Sequence, residues 1–131
     1  MKLSIDITPF EKTLNSLKMV LALKEDDVVR DSCIQRFEYT YGLCIKFMQR
    51  QLENMVVAAE EIDQMAFPDL IRTAAEKGLI EDPVEWFEYR KKRNITSHTY
   101  DEEKAEAVYS VLHDFAKSAE YLLNSIKRLN Q

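Results

Sequence analysis

The stretch Ile34-Gln35-Arg36-Phe37-Glu38-Tyr39-Thr40-Tyr41-Gly42-Leu43-Cys44-Ile45-Lys46-Phe47-Met48 decides the fold. Ile34, Phe37, Tyr41, Cys44 and Met48 alternate at three- and four-residue steps, and the pattern continues through Leu52 to Met55. That is one buried stripe on an α-helix, held for about six turns. The helix is expected from about Val28 to Met55 or slightly beyond. Gly42 inside it costs roughly 1 kcal/mol against alanine, which a close helix–helix crossing would explain. Phe37, Tyr39, Tyr41 and Phe47 crowd the same helix, in the manner of a core or subunit contact rather than a cofactor box.

Around this helix the chain reads as one all-α domain spanning residues 1–131. Two glycines and three prolines are too few for hairpins or sandwiches, so long helices with short connections are expected. Upstream, Thr8-Pro9-Phe10-Glu11 has the grammar of a helix start, with Thr8 as cap and Glu11 completing a capping box. Phe10, Leu14, Leu17 and Leu21 then form one stripe, ending near Lys24.

Downstream, Glu60, Glu61 and Asp63 read as an acidic connection. A short helix follows from Phe67-Pro68-Asp69, closed by a left-handed Gly78 and its apolar follower Leu79. Asp82-Pro83-Val84-Glu85 opens a further helix carrying Trp86, Phe87, Tyr89 and the basic run Arg90-Lys91-Lys92-Arg93. It should fail where β-branched Ile95, Thr96 and Thr99 surround Ser97. A new start is then expected, capped by Thr99 with Glu102 or by Asp101. The last helix carries Ala105, Val108, Leu112, Phe115, Ala119, Leu122, Ile126 and Leu129, an expected single rod of roughly 40 Å. An antiparallel up-and-down bundle of about five helices is the economical packing. Faces so rich in aromatics also suit a second copy, and periodicity leaves monomer and dimer open.

Composition narrows the function. A formal net charge of −5 argues against broad nucleic-acid binding, which depends on phosphate neutralisation, while leaving room for a local basic pocket. Cys33 and Cys44 lie eleven residues apart on one expected helix, too far apart to bond to each other and without the spacing of a metal site. Buried reduced thiols are the reading. No run is apolar enough to span a bilayer and no signal peptide is recognisable, so a cytoplasmic protein with no membrane contact is expected.

The densest polar chemistry is Arg93-Asn94-Ile95-Thr96-Ser97-His98-Thr99-Tyr100. In an unbroken helix Arg93 and His98 would lie about 140° apart around the axis. They converge on one ligand only if the helix ends between them or a second subunit contributes. Arg93 forks onto phosphate oxygens. His98 suits proton transfer near neutral pH. Cleaving RNA requires a proton acceptor, a proton donor and a cation but no metal, because the 2′-hydroxyl is the nucleophile. The plain alternative is a capped helix end with a solvated basic face. His113, alone on the last helix, reads as structural.

Arg93, Asn94, His98 and Tyr100 reproduce the R-x4-H-x-Y pattern of the HEPN superfamily (higher eukaryote and prokaryote nucleotide-binding domains). The longer string Trp86 … Tyr89-Arg90 … Arg93 to Asp101 … Glu103-Lys104-Ala105 resembles its nucleotidyltransferase substrate-binding protein branch. So do Ile34 to Tyr39 and Ala75 to Ile80. The resemblance covers nearly the whole chain. It implies a helical homodimer whose motif helices border a shared cleft, partnered by a minimal nucleotidyltransferase.

Two activities follow from the resemblance. In one, the chain is a metal-independent ribonuclease toxin with Arg93 and His98 as catalytic residues, silenced when the partner transfers AMP to Tyr100. In the other, it is a noncatalytic subunit that offers nucleotide or another substrate to its partner. Arg90, Asn94, Ser97 and Tyr100 are the expected binding residues, RNA or nucleotide is the expected ligand, and neither cofactor nor metal is implied.

Overall fold

A computed structural model describes residues 5–130, and among them are seven α-helices, one 3-10 turn and no strand. In chain order they are α1 (Thr8–Leu21), α2 (Asp27–Met55), α3 (Ala59–Asp63), α4 (Phe67–Glu76), α5 (Pro83–Asn94), the 3-10 turn Thr96–His98, α6 (Glu102–Tyr109) and α7 (Leu112–Leu129). The all-α helical bundle read from the sequence is the observed architecture.

α2 begins where the Asp26 carboxylate accepts from the Val29 N–H at 2.8 Å. Its stripe buries Ile34, Phe37, Tyr41, Cys44, Met48 and Leu52. α1 packs on α2 and α7. Its direction against α7 is set by two crossed ion pairs, Lys18 with Glu120 at 2.9 Å and Lys127 with Glu11 at 3.1 Å, which require antiparallel helices. Phe10 stacks on Phe47 at 5.6 Å while Arg36 donates to Ser16 at 2.9 Å, so α1 also opposes α2.

The centre of the core is Phe115 on α7. Its ring meets Phe37 at 4.8 Å and Tyr41 at 6.5 Å on α2, and Tyr89 at 5.2 Å and Trp86 at 6.0 Å on α5. Three of these contacts are edge-on, the geometry that ring quadrupoles favour. The cluster fixes α5, and with it the motif at the end of α5, against the long helix. Cys33 and Cys44 are free and buried, as expected.

Several local expectations are corrected. Thr8 is the first residue of α1 rather than its cap; its N–H is held by the Asp6 carboxylate at 3.0 Å, and Glu11 pairs with Lys127 instead of closing a box. The acidic connection contains α3, which buries Ile62. The last helix is two. Val111 donates its N–H to Val108 O at 3.2 Å, three residues back, and the Ser110 hydroxyl donates to the Ala107 carbonyl at 2.7 Å. This tightened turn separates α6 from α7. Val108 and Leu112 on its two sides both stay in the core.

Gly78 does adopt the left-handed conformation, φ +83°, with Leu79 N–H on Ala74 O at 2.9 Å and Gly78 N–H on Ala75 O at 3.1 Å. Gly42, by contrast, is exposed, and a Cβ there would meet nothing within 4 Å. No crossing among the described residues accounts for it.

Candidate functional site

α5 starts on Asp82, whose carboxylate accepts from the Val84 N–H at 2.9 Å. It stops at Asn94, as the β-branched run requires. Ile95 N–H turns back three residues to Lys92 O at 3.2 Å, and the Thr96 hydroxyl donates to the Arg93 carbonyl at 2.8 Å. His98 N–H reaches Ile95 O at 3.0 Å, and the Thr99 hydroxyl reaches Thr96 O at 3.0 Å. Of the two expected caps for α6, Asp101 takes the role, accepting from Glu103 and Lys104 N–H at 3.0 and 3.3 Å. Thr99 is already engaged with Thr96.

The start of α6 is tied to α2 by Arg30, a buried guanidinium that donates to Glu102, to Glu106 at 3.1 Å and to Asp31 at 3.3 Å. The hydrogen bonds from Glu102 and then Glu106 raise its pKa further, so it is permanently charged. The motif turn is thus held from both sides, by α5 before it and by the Arg30 clamp after it.

The helix end divides the motif. Arg90, Arg93 and Asn94 line a groove of about 450 Å³ between α2, α4 and α5, with Tyr41, Gly42, Ile45 and Gln49 on the α2 side and Met65, Phe67 and Leu70 opposite. His98, Ser97 and Tyr100 are exposed on the following turn and do not line that groove. The His98 and Tyr100 rings meet edge-on with centroids 6.1 Å apart, and Tyr100 is 85% exposed.

Within the basic run the four cations differ. Lys91 and Lys92 pair with Glu88, at 4.0 and 2.7 Å. Arg90 lies over the Phe67 ring at 4.2 Å, Phe67 faces Phe87 at 6.1 Å, and Arg72 lies over Phe87 at 5.6 Å. This column of cation, ring, ring and cation holds Arg90 at the groove wall. Tyr41, which the sequence places in a core or subunit contact, also lines the groove, and its phenol is pushed up to about 12 by burial, against the opposing pull of Arg90 and Arg93. It is a neutral hydroxyl beside two cations. In the sequence Phe67 marks only a helix start; no signal in a single sequence reports that α4 brings it under Arg90.

A larger cavity of about 580 Å³ lies between α5 and α7. Glu81, Glu85, Glu88 and Asp114 line it against one lysine, Lys117. Ser118 bridges the buried Tyr89 phenol at 2.7 Å and the Glu85 carboxylate at 2.8 Å. Its negative lining is unsuited to phosphate, and it contains none of the motif residues Arg93 to Tyr100. His113 is exposed beside Tyr109, their rings 6.2 Å apart. No helix among the described residues is long and apolar enough to cross a membrane.

Comparison with known proteins agrees with this architecture. The chain is 43% identical over 105 residues to the probable ribonuclease HepT of Haemophilus influenzae, covering 80% of this chain and 72% of that protein. A solved Haemophilus influenzae structure, described as the fold of a substrate binding domain of a nucleotidyltransferase, matches with a TM-score of 0.87. Its identity is 34%, over 93% of this chain and 99% of that one. A Thermus thermophilus structure matches with a TM-score of 0.78 at 33% identity, over 89% and 98% of the two chains. Residues 5–128 match the family described as nucleotidyltransferase substrate binding protein like. The chain belongs to that family.

Proposed function

We propose that this protein is the metal-independent ribonuclease of a toxin–antitoxin pair, acting as a homodimer and silenced when a minimal nucleotidyltransferase transfers AMP to Tyr100. The observation that carries this reading is the contact between His98 and Tyr100. Their rings are 6.1 Å apart on an exposed turn that directly follows Arg93 and Asn94. His98 accepts the proton of a ribose 2′-hydroxyl, the oxygen attacks the adjacent phosphorus, and the 5′-oxygen leaves as it gains a proton. The product ends in a cyclic phosphate. Arg93 neutralises charge on the phosphoryl oxygens, with Arg90, Asn94 and Ser97 holding the chain. One protomer offers one motif imidazole; a dimer offers two, one for each proton. AMP on Tyr100 would set a bulky anion against His98, where the RNA phosphate has to lie.

A second reading is a noncatalytic subunit that presents nucleotide to the nucleotidyltransferase. What favours it is the separation of Arg90 and Arg93 in the groove from His98 outside it. Incubating purified, unmodified protein with RNA and a chelator decides between them. The ribonuclease reading expects fragments with cyclic phosphate ends, lost in His98→Ala and in Arg93→Ala. A folded, dimeric protein that leaves RNA intact would sink it. Intact mass after co-expression with the partner tests the silencing step, by added AMP units that disappear in Tyr100→Phe.

A further inference from the structure

Tyr41 is the least explained side chain near the motif. It is only 8% exposed, yet none of its neighbours among the described residues hydrogen-bonds its hydroxyl. No fully enclosed side-chain oxygen among the described residues lacks a partner, so the part of Tyr41 that remains accessible includes this hydroxyl, and the residue lines the groove with Arg90 and Arg93. With no partner among the described residues to displace, this accessible hydroxyl is free to donate to a ligand oxygen in place of water. Its ring is fixed from behind by Phe37 at 5.9 Å and Phe115 at 6.5 Å. The donor is therefore held in place before any ligand arrives.

Two permanently charged forks flank it. Arg93 is one turn beyond Arg90 on α5, and Phe67 beneath Arg90 at 4.2 Å limits where that guanidinium can swing. Gly42 adds bare backbone on the α2 side, with open space where a side chain would stand. The groove is local and positive in a chain of net charge −5. A neutral O–H donor and paired guanidiniums, with open space over Gly42 for the ligand, together suit a tetrahedral oxyanion.

We propose that the α2–α4–α5 groove is a phosphate-binding subsite within each protomer, in which Tyr41 donates to a phosphate oxygen and Phe67 positions Arg90 as the second clamp beside Arg93. The assignment rests on the phosphoryl reading of the motif only for which phosphate enters. The bound group is a phosphate monoester of a free nucleotide or a diester of an RNA strand.

Calorimetric titration with inorganic phosphate and AMP, and anisotropy with a labelled single-stranded RNA oligonucleotide in the His98→Ala background, test it. Tyr41→Phe keeps the ring cluster and removes one oxygen. It is expected to weaken binding about tenfold, the scale of a hydrogen bond to a charged group. Loss on AMP assigns the subsite to a free nucleotide, and loss on RNA alone assigns it to a strand. Phe67→Leu should weaken the same probe, and Phe67→Tyr should restore it, with thermal melts verifying the fold. A parent protein that binds none of the three probes, or a Tyr41→Phe protein that binds them all unchanged, overturns the proposal. RNA cleavage with unchanged KM in Tyr41→Phe would reject the subsite and keep the ribonuclease. Tyr41-dependent AMP binding without cleavage would do the reverse.

Discussion

Arg30 on α2 reaches Glu102, the first residue of α6, and donates to both of its carboxylate oxygens. The guanidinium is buried while Glu102, Glu106, Asp27 and Asp31 keep more than half their side chains in water. Arg30→Met keeps most of the stem packing and leaves four carboxylates around a lost cation. Screening by solvent limits the electrostatic part, so a loss of about 2 kcal/mol is expected. In a chain of this length that lowers Tm by about 8 °C. Because Glu102 directly follows Tyr100 and Asp101, hydrogen exchange in the motif turn should accelerate more than in α7. Equal acceleration everywhere would mean that Arg30 serves global stability alone.

The two glycines should respond to alanine with opposite signs. At Gly78 the backbone sits at φ +83°, where a Cβ is strained whatever the space around it, and Gly78→Ala is expected to cost about 1–2 kcal/mol. At Gly42 the backbone is helical, the site is exposed and a methyl meets nothing, so Gly42→Ala should add about 1 kcal/mol through helix propensity. Chemical denaturation of both variants provides the check. If Gly42→Ala instead destabilises a dimer in a concentration-dependent way, a second protomer crosses α2 at that glycine.

How far the sequence reaches follows from what each pattern encodes. Ile34 to Leu52 was legible because helical period reports which face is buried, and it does so without any knowledge of the partner. Asp82-Pro83 and Gly78-Leu79 were legible because caps are local hydrogen-bond chemistry. The break at Ser110–Val111 was not, since neither residue forbids a helix and the apolar period runs through it. The site divides in the same way. Arg90, Arg93 and Asn94 share a helix end and could be grouped from spacing. Tyr41 and Phe67 belong to the groove only because α2 and α4 both pack on α5, and no period states which helix meets which.

Alkaline pH should expose the buried phenols. Burial pushes both Tyr41 and Tyr89 up to about 12 from an ordinary 10. The folded chain therefore keeps protons that the unfolded chain releases near pH 10. Stability from these groups is full below about pH 10 and is lost as pH rises toward 12. Partial access of solvent to both phenols screens the effect, so each contributes less than the full shift would imply. Cys44, whose thiol burial also raises, adds a decline of the same sign from about pH 9. Denaturant melts across pH 8 to 12 should show the fall, and Tyr89→Phe should make it shallower. The variant also loses the hydrogen bond to Ser118, so its curve starts lower at neutral pH. An unchanged slope between pH 10 and 12 would exclude Tyr89 as a source.

Thr96 tests how the end of α5 serves the motif. Its side chain is largely buried, and its hydroxyl donates to the Arg93 carbonyl at 2.8 Å, while its own carbonyl accepts from Thr99 at 3.0 Å. Those two bonds set the turn that carries His98 beside Tyr100. Thr96→Val keeps the shape and removes only the donor, for an expected loss of about 1 kcal/mol, or about 4 °C in Tm. The local effect should be larger than the global one, because the bond removed lies inside the turn itself. Ring-proton cross-peaks between His98 and Tyr100 should weaken while those between Phe115 and Phe37 persist. Under the ribonuclease reading, RNA cleavage should fall by more than the folded fraction does. A variant that keeps the His98–Tyr100 cross-peaks at full strength would show that the turn is held by the Arg30 clamp and the Asp101 cap without help from Thr96.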